Sequence, residues 1–251
     1  MTKIKAYIFD VDGTLADTER DGHRVAFNQA FEQFGLDWFW DEDTYGDLLA
    51  VTGGKERIRY FIETHDQAEI NHPDLDDLIK KLHAQKTENY VNLLNNNAIP
   101  LRSGVKRLLE EARAEGIRLA IATTTTPQNV TALLENALGE ESIDWFEVIG
   151  AGDVVPEKKP ASDIYDYVLN KMQLDAVSCI AFEDSRNGIL SSMAANLKTI
   201  ITYNGYTQHD DFSGATLVLD QFGDPDNPSN ILKETQQQHF LSTTSISQLL
   251  Q

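Results

Sequence analysis

Two aspartates, Asp10 and Asp12, close the apolar run of "KAYIFDVDGTLADTE" (residues 5–19), with Gly13 and Thr14 directly behind them. Other polar groups end other apolar runs: Thr123 after "IRLAIA", and Glu183 with Asp184 after "VSCIAF". Lys159 lies between those two runs, in the loop "VPEKKP" (155–160). Carboxylates can act as nucleophiles, as proton carriers and as ligands of hard cations. A hydroxyl and an ammonium beside them suit the stabilisation of an anion. Four acids, one hydroxyl and one lysine that met in space would form a site that no local stretch of the sequence contains.

Such a meeting calls for a parallel sheet, where sites form outside the carboxyl ends of the strands. Apolar segments at 5–9, 117–123, 177–184, 198–203 and 215–220 read as strands, and 146–154 as a strand with a loop. Amphipathic helices are expected between them at 103–116, 128–138, 161–172 and 186–195, the first capped by Ser103. The expected class is α/β: a Rossmann-like three-layer parallel sheet core with helices on both faces.

The pattern before residue 95 is different. Ala26, Phe27, Ala30, Phe31 and Phe34 mark one side of a helix over 21–34 that stops at Gly35. A glycine pair opens a helical stretch over 52–63, and Leu75, Leu78, Ile79, Leu82, Lys86, Tyr90 and Leu93 trace a long helix. "DWFWDEDTY" (37–45) is aromatic and acidic without a period. The parse is a discontinuous core domain of residues 1–17 and 95–230, an inserted all-helical cap domain of 18–94, and a C-terminal tail of 231–251. Hinges are expected at 15–20 and 95–101.

The chain has 251 residues, 41% of them hydrophobic, enough for one or two domains with a real core. No run of eighteen apolar residues predicts a membrane span, and "MTKIKAYIFD" does not read as a signal peptide. The single cysteine, Cys179, excludes an internal disulfide framework and fits a cytoplasmic location. Forty acidic residues against 21 basic leave a formal charge of −19. That charge argues against nucleic acid and membrane partners, favours a monomer, and requires a local cation wherever phosphate binds. No histidine or cysteine cluster suggests zinc.

Each polar group also has a plainer reading. Asp10 and Asp12 suit a turn, Thr123, Glu183 and Asp184 suit helix caps, and Lys159 suits an ordinary loop. The Gly53–Gly54 pair suits a turn followed by surface charges.

As an ordered set, however, these stretches carry a family pattern. "FDVDGTLADTE" resembles the first motif of the haloacid-dehalogenase-like phosphatase superfamily. "IAT" ending in Thr123, "KKP" with Lys159 and "AFEDS" with Glu183 and Asp184 resemble its second, third and fourth motifs. The helical insert is similar to the family's small alpha-helical cap. "TLADTERDGHRVAFNQAF", "GLDWFWD" and "TGGKERI" look like CbbY-type members, which are sugar-phosphate phosphatases associated with removing xylulose 1,5-bisphosphate, an inhibitor of Rubisco in the Calvin cycle.

The resemblance implies a Mg²⁺-dependent phosphatase acting on a small phosphorylated sugar through an aspartyl-phosphate. Beta-phosphoglucomutase-like transfer, a phosphoglycolate phosphatase and a non-catalytic binding protein stay open beside it. It implies Asp10 as nucleophile and Asp12 as general acid and base. Lys159, Thr123 and the backbone around Thr124 would meet the transferring phosphate. Asp10, the carbonyl of Asp12, Asp184 and Glu183 would surround the metal. In the cap, Gly53, Gly54, Lys55 and Arg57 are expected to grip a second phosphate at a helix N-terminus. His23 and Arg24, beside Gly22, are also expected at the substrate. His23 stands one residue further from Asp10 than the corresponding histidine of the beta-phosphoglucomutases.

Overall fold

The computed structural model describes residues 3–65, 74–96, 99–234 and 240–249. Six strands form one parallel sheet: β1 (Ala6–Phe9), β2 (Arg118–Ala122), β3 (Phe146–Gly150), β4 (Cys179–Glu183), β5 (Lys198–Thr202) and β6 (Leu217–Leu219). Their order is β3-β2-β1-β4-β5-β6. β1 lies inside the sheet because it is apolar on both faces: Tyr7 and Phe9 enter one core cluster, Ala6 and Ile8 the other. Its last residue, Phe9, is in register with Ile121 of β2 and Phe182 of β4. The polar residues that follow these strands therefore emerge at one edge.

Helices α5 (Val105–Ala114) and α6 (Pro127–Leu138) cover the Tyr7 face, and α7 (Asp163–Met172) covers the Ile8 face with α8 (Arg186–Ala194) beside it. The caps of α6 and α8 are Thr126 and Ser185, whose side chains accept the N–H groups of Asn129 and Gly188. Thr123, Glu183 and Asp184 are thus not used as caps. The expected Ser103 cap does not form. Gly104 takes that position with φ +84°, and Asp224 Oδ2 accepts its N–H at 2.7 Å, while the Ser103 hydroxyl turns to Asp224 and the Asn227 carbonyl.

The inserted block is α1 (Arg24–Gln33), α2 (Glu42–Leu48), α3 (Gly54–His65) and α4 (Leu75–Asn95), entered through a π-helical turn at Glu19–His23. It has its own aromatic core, with Phe27, Phe31, Trp38, Trp40, Tyr45 and Phe61 buried together. Trp38 and Trp40 point inward while Phe39 between them is 71% exposed, an alternation typical of extended chain. The short helix α2 was not legible in the sequence.

The long α4 joins both lobes: Ile79 and Leu82 lie in the aromatic core, Tyr90 and Leu94 in the cluster over the sheet. The two connections between the lobes touch, through an Ala16–Leu101 bridge and a 2.9 Å bond from the Arg102 N–H to the Leu15 carbonyl. From residue 230 on lie α9 (Asn230–Glu234) and α10 (Thr243–Leu249). Leu241 and Ile246 are fully buried in the sheet's cluster, so residues 241–246 pack against the core. No helix among the described residues is long and apolar enough to cross a membrane.

Candidate active site

The carboxyl ends of β1 and β4 bring three acids together. Asp10 leaves β1 with its N–H held by the Phe182 carbonyl at 2.9 Å. Lys159, on the loop before α7, donates to Asp10 Oδ1 and to Glu183 Oε1, each at 2.6 Å. The Tyr165 hydroxyl of α7 donates to the same Glu183 oxygen. Asp184 follows, and its Oδ2 accepts from Asn204 Nδ2 at 2.7 Å. Oxygen atoms of Asp10, Glu183 and Asp184 lie within 4.8 Å of one another. Gly188 is required by this packing, because a Cβ there would fall 1.8 Å from Glu183 Oε2.

The electrostatics follow from this crowding. Burial raises the Asp10 carboxyl above its usual range, Lys159 offsets part of the rise, and Glu183 adds to it. Asp184 is raised by burial first and then by repulsion from Asp10 and Glu183. Burial alone would lower Lys159, but the two acids it touches win and raise it. Three buried carboxylates thus face one ammonium, and further positive charge would relieve them. Their donor atoms are all oxygens, without nitrogen or sulfur. That set fits a hard divalent cation such as Mg²⁺.

Asp12 is set apart from this group. Its Oδ1 accepts from the Thr18 hydroxyl at 2.5 Å and lies 2.8 Å from His23 Nε2. Lys86, from α4, places Nζ 2.8 Å from His23 Nδ1. An ammonium can only donate there, so Nδ1 accepts and Nε2 carries the proton toward Asp12. Burial opposes the charge on Asp12, but His23, Thr18 and the Lys86 ammonium outweigh it and hold the carboxyl well below its usual range. Burial also pushes Lys86 down to about 8, against the pull of Asp12 and Glu19. The π turn at Glu19–His23 accommodates one more residue than an α turn, and it is this turn that delivers His23 to Asp12.

These groups open into a cavity of about 440 Å³ between the lobes, lined also by Thr123 and Thr124. From the cap, Arg57 reaches the same cavity. Its guanidinium donates to the Tyr45 hydroxyl at 2.8 Å, and Glu19 accepts from that hydroxyl. Arg57 Nε has no partner.

The other cap residues singled out in the sequence lie elsewhere. Gly53, Gly54 and Lys55 line a neighbouring cleft, where Lys55 Nζ pairs with Asp153 Oδ2 at 2.5 Å. Arg24 turns toward the Trp40 carbonyl and Glu42. His23 meets the site through Asp12 rather than by lining the cavity. Glu19, Tyr45, Lys86 and Asn204 were not anticipated as site residues. Only Lys86 left a signal, as a lysine on the apolar stripe of α4.

The profile of the family described as haloacid dehalogenase-like hydrolase matches residues 4–196. Protein CbbY of Cereibacter sphaeroides is 44% identical over 221 residues, covering 88% of this chain and 94% of that protein. The crystal structure of CbbY from Rhodobacter sphaeroides with phosphate superposes with a TM-score of 0.81 at 44% identity, covering 88% of this chain and 96% of that one. An Asp-to-Asn mutant of the same protein, in complex with xylulose-(1,5)bisphosphate, gives a TM-score of 0.82 at 43% identity with the same coverage.

Proposed function

The chain belongs to the haloacid dehalogenase-like hydrolases, and from that premise we propose that it is a Mg²⁺-dependent phosphatase whose substrate is xylulose 1,5-bisphosphate. The observation that carries this reading is one cavity lined by charged groups of both lobes. Asp10, Lys159 and the acid cluster line the cavity from the sheet, and Arg57, held by Tyr45 and 3.7 Å from Glu19, lines it from the cap. A substrate with two phosphates can be held from both. Where one phosphate reacts, the second supplies binding energy that orients it.

Asp10, Glu183 and Asp184 would hold Mg²⁺, with the Asp12 carbonyl as a further ligand; when bound, the ion neutralises charge on the phosphate and its attacker. Lys159, already on Asp10, screens the same pair from the other side, and Thr123 offers its hydroxyl to a phosphate oxygen. The Asp10 carboxylate attacks phosphorus, the bond to the sugar oxygen breaks, and the proton which that oxygen takes comes through Asp12 from His23 Nε2–H, while Lys86 passes one to His23 Nδ1. Asp12 then takes a proton from water, which attacks the aspartyl-phosphate and releases inorganic phosphate and free Asp10. Thr18, His23 and Lys86 favour the ionised Asp12 that this second step needs.

The hydrogen bond from His23 Nε2 to Asp12 Oδ1 also favours a second reading, phosphoryl return to the sugar as in a beta-phosphoglucomutase. A panel of xylulose 1,5-bisphosphate, ribulose 1,5-bisphosphate, beta-glucose 1-phosphate and phosphoglycolate with Mg²⁺ separates the two. The primary reading expects phosphate release from xylulose 1,5-bisphosphate far above the rest. Glucose 6-phosphate without free phosphate supports the mutase. The single buried thiol, Cys179, supports a cytoplasmic setting, and the charge of −19 supports a monomer.

A further inference from the structure

Asn204 lies outside the four motifs, on the turn that follows β5, yet its amide touches the acid cluster. Its Nδ2 donates to Asp184 Oδ2 at 2.7 Å. One contact fixes the side-chain amide and a second the backbone that carries it. The Tyr206 N–H donates to Asn204 Oδ1 at 2.9 Å, and the Asn204 N–H donates to the Thr207 hydroxyl at 3.0 Å. Because Oδ1 is committed to a backbone donor, the amide cannot flip, and only its N–H can face Asp184.

Two neighbours keep the turn in place. The Tyr206 ring packs against Tyr45 of the cap with centroids 6.1 Å apart, and a Cβ on Gly46 of α2 would lie 3.2 Å from that ring. From the other side, Gly13 leaves the space that the pair occupies. A Cβ at Gly13 would sit 2.1 Å from Asp184 Oδ2 and 2.7 Å from Asn204 Nδ2, and Gly13 has φ +85°. The glycine behind the two aspartates thus makes room for an amide nearly two hundred residues away.

We propose that Asn204 is a positioning residue that orients Asp184 as a ligand of the divalent cation, by occupying one carboxylate oxygen and leaving the other to the ion. The inference rests on the Mg²⁺-dependent reading above. Partners that orient a metal ligand in this way typically change metal affinity by about 10–100-fold when removed. Asn204 does so from a turn seated against the cap, so the ligand's orientation depends on a contact made by the second lobe.

The test is titration of Mn²⁺, as a spectroscopic substitute for Mg²⁺, into the intact protein, followed by electron paramagnetic resonance of the free ion. Parent, Asn204→Ala and Thr207→Val are compared, with thermal melts to show that each is folded. Asn204→Ala is expected to weaken Mn²⁺ binding about tenfold or more. Thr207→Val loosens the turn but keeps the amide, and is expected to weaken binding no more than about twofold. Calorimetry with Mg²⁺ should rank the three proteins alike. Parent-like affinity in a folded Asn204→Ala overturns the assignment while leaving the phosphatase reading standing. Equal losses in both variants also overturn it, because the shape of the turn would then suffice. A parent that binds neither ion defeats this inference together with the metal-dependent reading.

Discussion

Lys159 Nζ and Asp10 Oδ1 are 149 residues apart in the chain and 2.6 Å apart in space. The same ammonium also holds Glu183, so one buried cation ties the first strand's acid to the fourth's. Removing it leaves two buried carboxylates without their partner. Lys159→Met should lower kcat by about 10²–10³-fold, the loss typical of one charge-stabilising donor. It should also cost about 3–5 kcal/mol of stability, the usual effect of breaking a buried ion pair from one side. Steady-state kinetics and urea melts measure the two effects.

In the proposed reaction Asp12 carries the proton transfers. Asp12→Ala should reduce kcat by about 10²–10⁴-fold. His23→Ala should give a smaller loss of kcat with little change in KM, since His23 touches Asp12 rather than the cavity. A His23→Ala defect confined to KM would place the ring on the substrate instead.

Arg57 and Lys55 should separate cleanly. Arg57→Ala is expected to raise KM for xylulose 1,5-bisphosphate at least tenfold, in line with loss of a charged hydrogen bond worth about 1.5–3 kcal/mol. Lys55→Ala, which breaks an exposed pair with Asp153, should change KM by less than about threefold. The opposite ranking would show that the lobes rearrange to bring Lys55 to the substrate.

Lys86 gives a pH signature. Its proton leaves near pH 8 in the folded chain and near 10.5 in the unfolded one. Between those values the unfolded state binds the extra proton, so this group makes stability rise with pH, and its unfavourable contribution is fully present below about pH 8. Relative to Lys86→Met, the parent should gain about 2 kcal/mol between pH 7.5 and pH 10 in paired urea melts. A difference that stays flat, or runs the other way, contradicts the downward shift of Lys86. In kcat, the parent should lose activity as pH rises through about 8, and Lys86→Met should lack that limb.

The legibility of the site follows from where each residue lies. Asp10, Thr123, Glu183 and Asp184 each end a buried strand, and a parallel sheet has only one edge for such ends, so their convergence could be read without coordinates. Lys55 and Arg57 show the limit. They are two residues apart on α3, and an α-helix turns about 100° per residue, so they face nearly opposite sides. Only knowledge of which side the aromatic core of the inserted block covers tells that Arg57, in line with the buried Phe61, faces inward. Asn204 left no trace, because its role depends on the space at Gly13 and on a turn seated against the cap. The short α2 escaped because "EDTYGDL" carries a glycine and too few apolar residues to show a helical period.

The central claim is that Asp10 becomes phosphorylated. Mixing parent enzyme with Mg²⁺ and xylulose 1,5-bisphosphate, quenching within one turnover, and mapping the acid-trapped protein by mass spectrometry tests it most directly. One phosphoryl group on the peptide containing Asp10, absent from Asp10→Asn and lost on further incubation as phosphate appears, is the predicted result. Phosphate release with an unmodified Asp10 peptide, or sustained turnover by Asp10→Asn, would contradict the account.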